Sequence, residues 1–155
     1  MSSSETPSAG SGNPAGLAIV LFAGGFDRVH YALVMASAAA ATNRPVTLFF
    51  TGRALGALLP GSGPEAPGWH GLDPADDGSA PAARDRWFAG NGVATFEELL
   101  EACVLLGVRV MACEMGLRAL GLPASTALRA DVPVQGGGVV TFLNEAPKGA
   151  AMLFV

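Results

Sequence analysis

Leu17-Ala-Ile-Val-Leu-Phe22 is an unbroken apolar run that passes directly into Ala23-Gly-Gly-Phe-Asp27. A strand with one wet face alternates apolar and polar residues. A run of strand length without alternation is covered on both faces, as in a parallel sheet. Gly24 and Gly25 end the strand, and Asp27 stands where a helix begins. That helix reads from Phe26 to Thr42, with Val29, Leu33, Val34 and Met35 followed by an alanine tract broken only by Ser37. Alanine favours helix. A helix without a polar face is buried on several sides, and in so small a domain one of those sides is expected to be a neighbouring subunit. Val46-Thr-Leu-Phe-Phe-Thr51 repeats the buried-strand pattern, with Gly52 and Arg53 just past its end and a short helix expected over Ala54–Leu59. Strand, helix and strand with tight joints form a right-handed crossover, which makes the class α/β and the sheet parallel.

Downstream, Thr95 is an N-cap with Glu98 three residues on, the capping-box arrangement. Phe96, Leu99, Leu100, Cys103 and Leu106 form one core-facing stripe, and Gly107 ends the helix. Val108–Ala112 reads as the third strand, followed at once by Cys113 and a short helix from Glu114 to Leu120. Val132–Val134 and Ala151–Val155 supply a fourth and a fifth strand. Gly136–Ala146 suits either strand or helix, and the alternation of elements elsewhere favours helix. Periodicity disappears over residues 60–92, which read as an irregular loop: a lid, a binding loop or a subunit contact, or a surface excursion pinned by Trp69 and Trp87. Residues 1–16 hold almost nothing to bury and read as a disordered tail, leaving a single domain over 17–155.

Composition excludes several classes. The 155 residues are half apolar and 14% charged, and mean hydropathy is +0.41, so the chain builds a core but has little charge to cover an isolated surface. A formal net charge of −4 with Lys148 as the only lysine leaves no basic stripe for phosphates, so nucleic acid and anionic membranes are not expected partners. Two cysteines without a paired framework suit the reducing cytoplasm. The apolar run at Leu17–Ala23 is too short to span a bilayer, and no basic segment precedes it. No phosphate loop, nucleophile elbow or H-E-x-x-H is present. Gly90-Asn-Gly92 lacks the third glycine of a dinucleotide fingerprint. Neither a metal site nor a cofactor is called for.

Cys113 remains as the candidate for chemistry. Ligand sites of open parallel sheets gather at the carboxyl ends of strands, and Cys113 combines such an end with the amino end of a helix. Free backbone N–H groups and the positive end of the helix dipole favour thiolate there. Adjacent Glu114 opposes that effect. The competing reading is a small side chain filling a tight turn. Cys103, on the apolar stripe, reads as core. Gly24, Gly25 and Asp27 close the first strand and Thr51 and Arg53 the second, which makes them candidate substrate-binding residues. Arg53 suits an anionic substrate or the Cys113 thiolate, or is a solvated surface charge. Asp27 also serves as a plain N-cap, His30 as a hydrogen-bonded core residue, and His70 as an exposed loop residue.

Several segments together resemble the DsrE/DsrF-like family of small sulfur-relay proteins, some of whose members are labelled peroxiredoxin-like. They are Phe22-Ala-Gly-Gly-Phe-Asp-Arg-Val29, Val46–Thr51, Met111-Ala-Cys-Glu-Met115 with Leu120-Gly-Leu122, and Val139–Ala146 followed by Met152–Val155. The resemblance implies a three-layer α/β/α fold around a five-stranded, mostly parallel sheet. It makes Gly136–Ala146 a helix. It also implies a homo-oligomer, trimeric or hexameric, and a persulfide-carrying cysteine at Cys113 that exchanges sulfur with a donor or acceptor protein. Glu114 and the 60–92 loop depart from the family's usual pattern. A non-catalytic oligomeric subunit that binds a ligand or partner in the same fold is the alternative, and a thiol peroxidase is a third.

Overall fold

The computed structural model describes residues 14–155. Five strands, β1 (Leu17–Leu21), β2 (Val46–Phe50), β3 (Arg109–Cys113), β4 (Val134–Gly137) and β5 (Ala151–Phe154), form one sheet in the order β4-β3-β2-β1-β5. All four pairings are parallel, so the sheet expected to be mostly parallel is wholly so. The register sets Leu17 against Val46, Thr47 against Arg109, and Cys113 against Gly137. β2 is buried along its whole length, as a run without alternation requires.

Helices α1 (Phe26–Ala41) and α3 (Phe96–Leu105) pack against one face of the sheet, where Val29, Leu33, Leu99, Leu100 and Cys103 meet Ile19, Leu48, Phe50 and Val110. α4 (Glu114–Ala119) joins the same side through Leu117. The other face holds a smaller core of Ala18, Phe49, Met111, Cys113 and Phe142, the last from α5 (Val139–Glu145). Helices on both faces make the three layers. The handedness rule explains the division. Steps from β1 to β4 run in one direction and put their helices on one face; the return to β5 runs the other way and puts α5 opposite.

The capping box of α3 forms: Thr95 Oγ1 accepts the Glu98 N–H at 3.3 Å. Leu106 falls just past the helix, at its C-cap, and is exposed rather than part of the core stripe. Residues 60–92 are not structureless. A 3₁₀ turn spans Gly68–Gly71, and α2 spans Pro81–Gly90. Periodicity could not reveal α2, because Pro81 is its one buried residue and polar contacts hold it. Asp85 accepts the Phe96 N–H at 2.7 Å, and Arg84 lies over the Phe88 ring at 4.7 Å, 3.5 Å from Asp27. Of the two tryptophans expected to pin this stretch, Trp69 is buried while Trp87 is 61% exposed.

β4 lies slightly later than Val132–Val134, since Pro133 has no N–H for a ladder and pairing runs from Val134 through Gly137. The helix expected within Gly136–Ala146 is α5. The tail read over residues 1–16 lies outside the described residues as far as position 13. Gly16, at its end, is already buried and accepts the Ala151 N–H at 3.0 Å.

Candidate functional site

Cys113 is the last residue of β3 and the N-cap of α4. Its Sγ accepts the N–H of Gly116 at 3.3 Å, satisfying one of the donors that a helix start leaves free. Gly116 is confined: a Cβ there would come within 2.8 Å of Leu55 Cδ1 and 2.9 Å of Thr51 Oγ1. Thr51 therefore packs on the turn that presents the sulfur. Cys113 itself is 2% exposed.

The topology marks this position out. From β3 the chain turns into α4 on one face of the sheet, and from neighbouring β4 it turns into α5 on the other. Connections that part in this way leave a crevice between the two strand ends, and ligands of open α/β sheets bind in such crevices. Cys113 and its register partner Gly137 end the two strands at this switch point. Gly136, Gly137 and Gly138 give its β4 side no side chains. A Cβ on Gly136 would lie 3.0 Å from Glu114 Oε1, so the Glu114 carboxylate reaches across to β4. Sequence reading passed over these glycines because the segment suited strand or helix equally. Their signal was the Gly136-Gly137-Gly138 run itself, which suits neither interior.

The remaining residues singled out by sequence gather elsewhere. Residues 72–76 strap across the end of β1: Asp73 donates its N–H to Gly24 O at 2.8 Å, Phe26 donates to Asp73 O at 3.1 Å, and Gly25 bridges Asp73. Arg53 pairs with Asp73, its Nε donating to Oδ2 at 2.8 Å. That bond holds the Asp73 carboxyl below the usual carboxylate range. Asp27 Oδ2 accepts the Asp76 N–H at 2.8 Å. Gly24, Gly25, Asp27 and Arg53 thus meet one another through the strap, whereas Thr51 alone of the five meets the Cys113 turn. His30 is buried, with Nε2 2.9 Å from Ala94 O. His70 packs edge-on against Trp69 in the 3₁₀ turn.

Cys103 is fully buried on the opposite side of the sheet, and burial pushes its thiol up to about 11. A groove of about 440 Å³ between α1 and β5, with Ile19, Leu153, Tyr31 and Met35 in its lining, also lies on that side and does not include Cys113. Among the described residues no group of three or more His, Cys, Asp or Glu side chains is placed to hold a metal, and no helix is long and apolar enough to cross a membrane.

Comparison with known proteins agrees with this architecture. The chain is similar to a Bacillus subtilis (strain 168) protein named "Uncharacterized protein YrkE", 27% identical over 157 residues that cover 88% of this chain and 94% of that one. The model of the DsrE/DsrF-like family matches residues 18–154, from the second residue of β1 to the last of β5. Since the match runs across every strand and across the crevice that Cys113 borders, the chain belongs to the DsrE/DsrF-like family.

Proposed function

We propose that the protein is a sulfur carrier that holds sulfane sulfur on Cys113. The observation that carries the reading is the position of Cys113 Sγ, at the β3–β4 crevice with the Gly116 N–H directed at it. A donor N–H directed at sulfur steadies the negative charge that the attacking thiolate carries. In the step proposed, ionised Cys113 attacks the outer sulfur of a donor persulfide. The new S–S bond forms at Cys113 as the donor's S–S bond breaks. The donor leaves as a thiolate and takes up the proton that Cys113 released. An acceptor thiolate then attacks the outer sulfur and reverses the exchange. Sulfur is passed on without net oxidation, so neither oxidant nor cofactor enters.

Incubation with glutathione persulfide and intact-mass analysis test the reading. Wild type is expected to gain one sulfur atom and Cys113→Ser none. An equal mass gain in the two would overturn it. One observation favours a second reading: at 2% exposure Cys113 is packed like a core residue. On that reading the protein is a non-catalytic oligomeric subunit whose crevice binds a ligand or partner, and the same experiment separates the two.

We also infer self-association in the cytoplasm. Phe22, Met152 and Phe154 are exposed apolar residues, with the Phe22 and Phe154 rings stacked 5.7 Å apart. Met152 and Phe154 align with Ala18 and Val20, which places them on the α5 face. A copy of the same chain would cover them, in keeping with a trimer or hexamer.

A further inference from the structure

We propose that α5 is a lid that gates Cys113, opening as a unit while the rest of the fold stays closed; the proposal rests on Cys113 being the reacting group. The sulfur lies in the small core of the second face, and α5 is the helix that contributes to that core among the described residues. Gly137, paired with Cys113, sits directly under Thr141 of α5, whose Cβ would be 3.3 Å from a Cβ on that glycine. With Cys113 2% exposed, reagents on this proposal reach the sulfur when α5 moves.

α5 is built to move. It has seven residues, and only Phe142 is buried. Gly136-Gly137-Gly138 enters it, and Gly138 has open space where a side chain would stand. Gly149, at a φ of 71°, follows it. Glycine leaves the backbone its widest freedom at the entry to α5, and again at Gly149, beyond Ala146, Pro147 and Lys148. Two fastenings oppose opening. Phe142 stacks on Phe49 of β2, with ring centroids 4.9 Å apart and planes at 18°. Glu145 pairs with Arg109 of β3 and accepts from Gln135 Nε2 of β4 at 3.0 Å, while Arg109 Nε donates to Gln135 Oε1 at 2.9 Å. The clasp is half-exposed and the stack is a single ring, whereas α1 and α3 each bury several residues. Local opening at α5 therefore costs less than opening the main core.

The two cysteines supply their own control, because Cys103 lies in the main core on the opposite face. Native protein is alkylated with iodoacetamide, and the rate at each cysteine is followed by peptide mass spectrometry. In wild type Cys113 is expected to react faster than Cys103. Glu145→Ala, a surface change, should raise the Cys113 rate about two- to fivefold, as loss of a half-exposed ion pair allows. Phe142→Ala should raise it about tenfold or more. Cys103 should be unchanged in Glu145→Ala. If the two cysteines accelerate together, or if Glu145→Ala leaves Cys113 unmoved, α5 is not a lid. Rates of sulfur loading separate this proposal from the one before it. A Cys113 that is unmasked by these changes yet takes no sulfur keeps the lid and removes the carrier. A Cys113 that loads at one rate in every variant keeps the carrier and removes the lid.

Discussion

Cys103 and Cys113 are both buried, but in the cores on opposite faces of the sheet. Among the described residues Cys103 Sγ has the Leu33 carbonyl as its one distant partner, at 3.8 Å, in an apolar core, and burial raises its thiol from the ordinary 9.0 to about 11. The unfolded thiol ionises first, so between those values the folded state binds more protons. The stability this gives is complete below pH 9.0 and is lost as pH rises through about 11. The slope approaches about 1.4 kcal/mol per pH unit. Thermal melts of wild type and Cys103→Ala across that range are expected to show wild type losing its advantage as pH rises. A constant gap would mean that Cys103 reaches water. Sequence set the two apart by position, one on a helix stripe and the other after a strand, and the core placement of Cys103 is as read. It gave no account of the cover over Cys113, which comes from a segment more than twenty positions away.

Among the elements, the stretch between β2 and α3 was the least legible. Its buried residues, among them Leu55, Leu58, Trp69 and Leu72, enter the main core at irregular spacing, and polar groups reaching distant segments add to that order. Trp69 Nε1 donates to Glu97 Oε1 at 2.8 Å. Arg129, whose side chain is 9% exposed, donates to both oxygens of Glu97 at 2.7 and 2.8 Å and pairs with Asp131. Its bonds hold both carboxyls below the usual range. Arg129→Ala is expected to cost about 1–2 kcal/mol near neutral pH, more than an ordinary surface pair, because the contact is bidentate and Arg129 is enclosed. Carboxyls with lowered folded-state values stabilise fully above their unfolded range and lose that contribution as pH falls through the folded one. The difference between Arg129→Ala and wild type in urea midpoints should therefore shrink below about pH 4. A difference that persisted there would assign the effect to packing of the Arg129 stem. No spacing rule links residues 69, 97 and 129, which is why this clasp was invisible in the sequence.

At the scale of the whole molecule, the sheet is dressed unequally. One face carries α1, α3 and α4, and the other has α5 over its middle with Met152 and Phe154 left bare, the latter 70% exposed. If a second copy covers that face, Phe154→Asp places a charge in an apolar interface and should reduce the sedimenting mass toward that of the 15.6 kDa monomer. An unchanged mass distribution would place the contacts elsewhere. The low charge content anticipated such a surface, but composition cannot say which face stays uncovered. That depends on the direction in which the chain returns to β5.

What the sequence determined by itself was local and periodic. The apolar runs that became Leu17–Leu21 and Val46–Phe50 read as strands buried on both sides, Thr95 and Glu98 as a helix start, and the crossover rule then made the sheet parallel. Those conclusions follow from side-chain burial along a short stretch of chain, which neighbours in sequence are enough to specify. The tertiary structure alone decided that Gly24, Gly25, Asp27 and Arg53 are drawn together by Asp73 and Asp76, that Cys113 pairs with Gly137 at the end of β3 and β4, and that it shares a core with Phe142 of α5. These are meetings of residues far apart in the chain. Hydrogen bonds and packing fix them only after the sheet order and the handedness of each crossover have set which segments face one another.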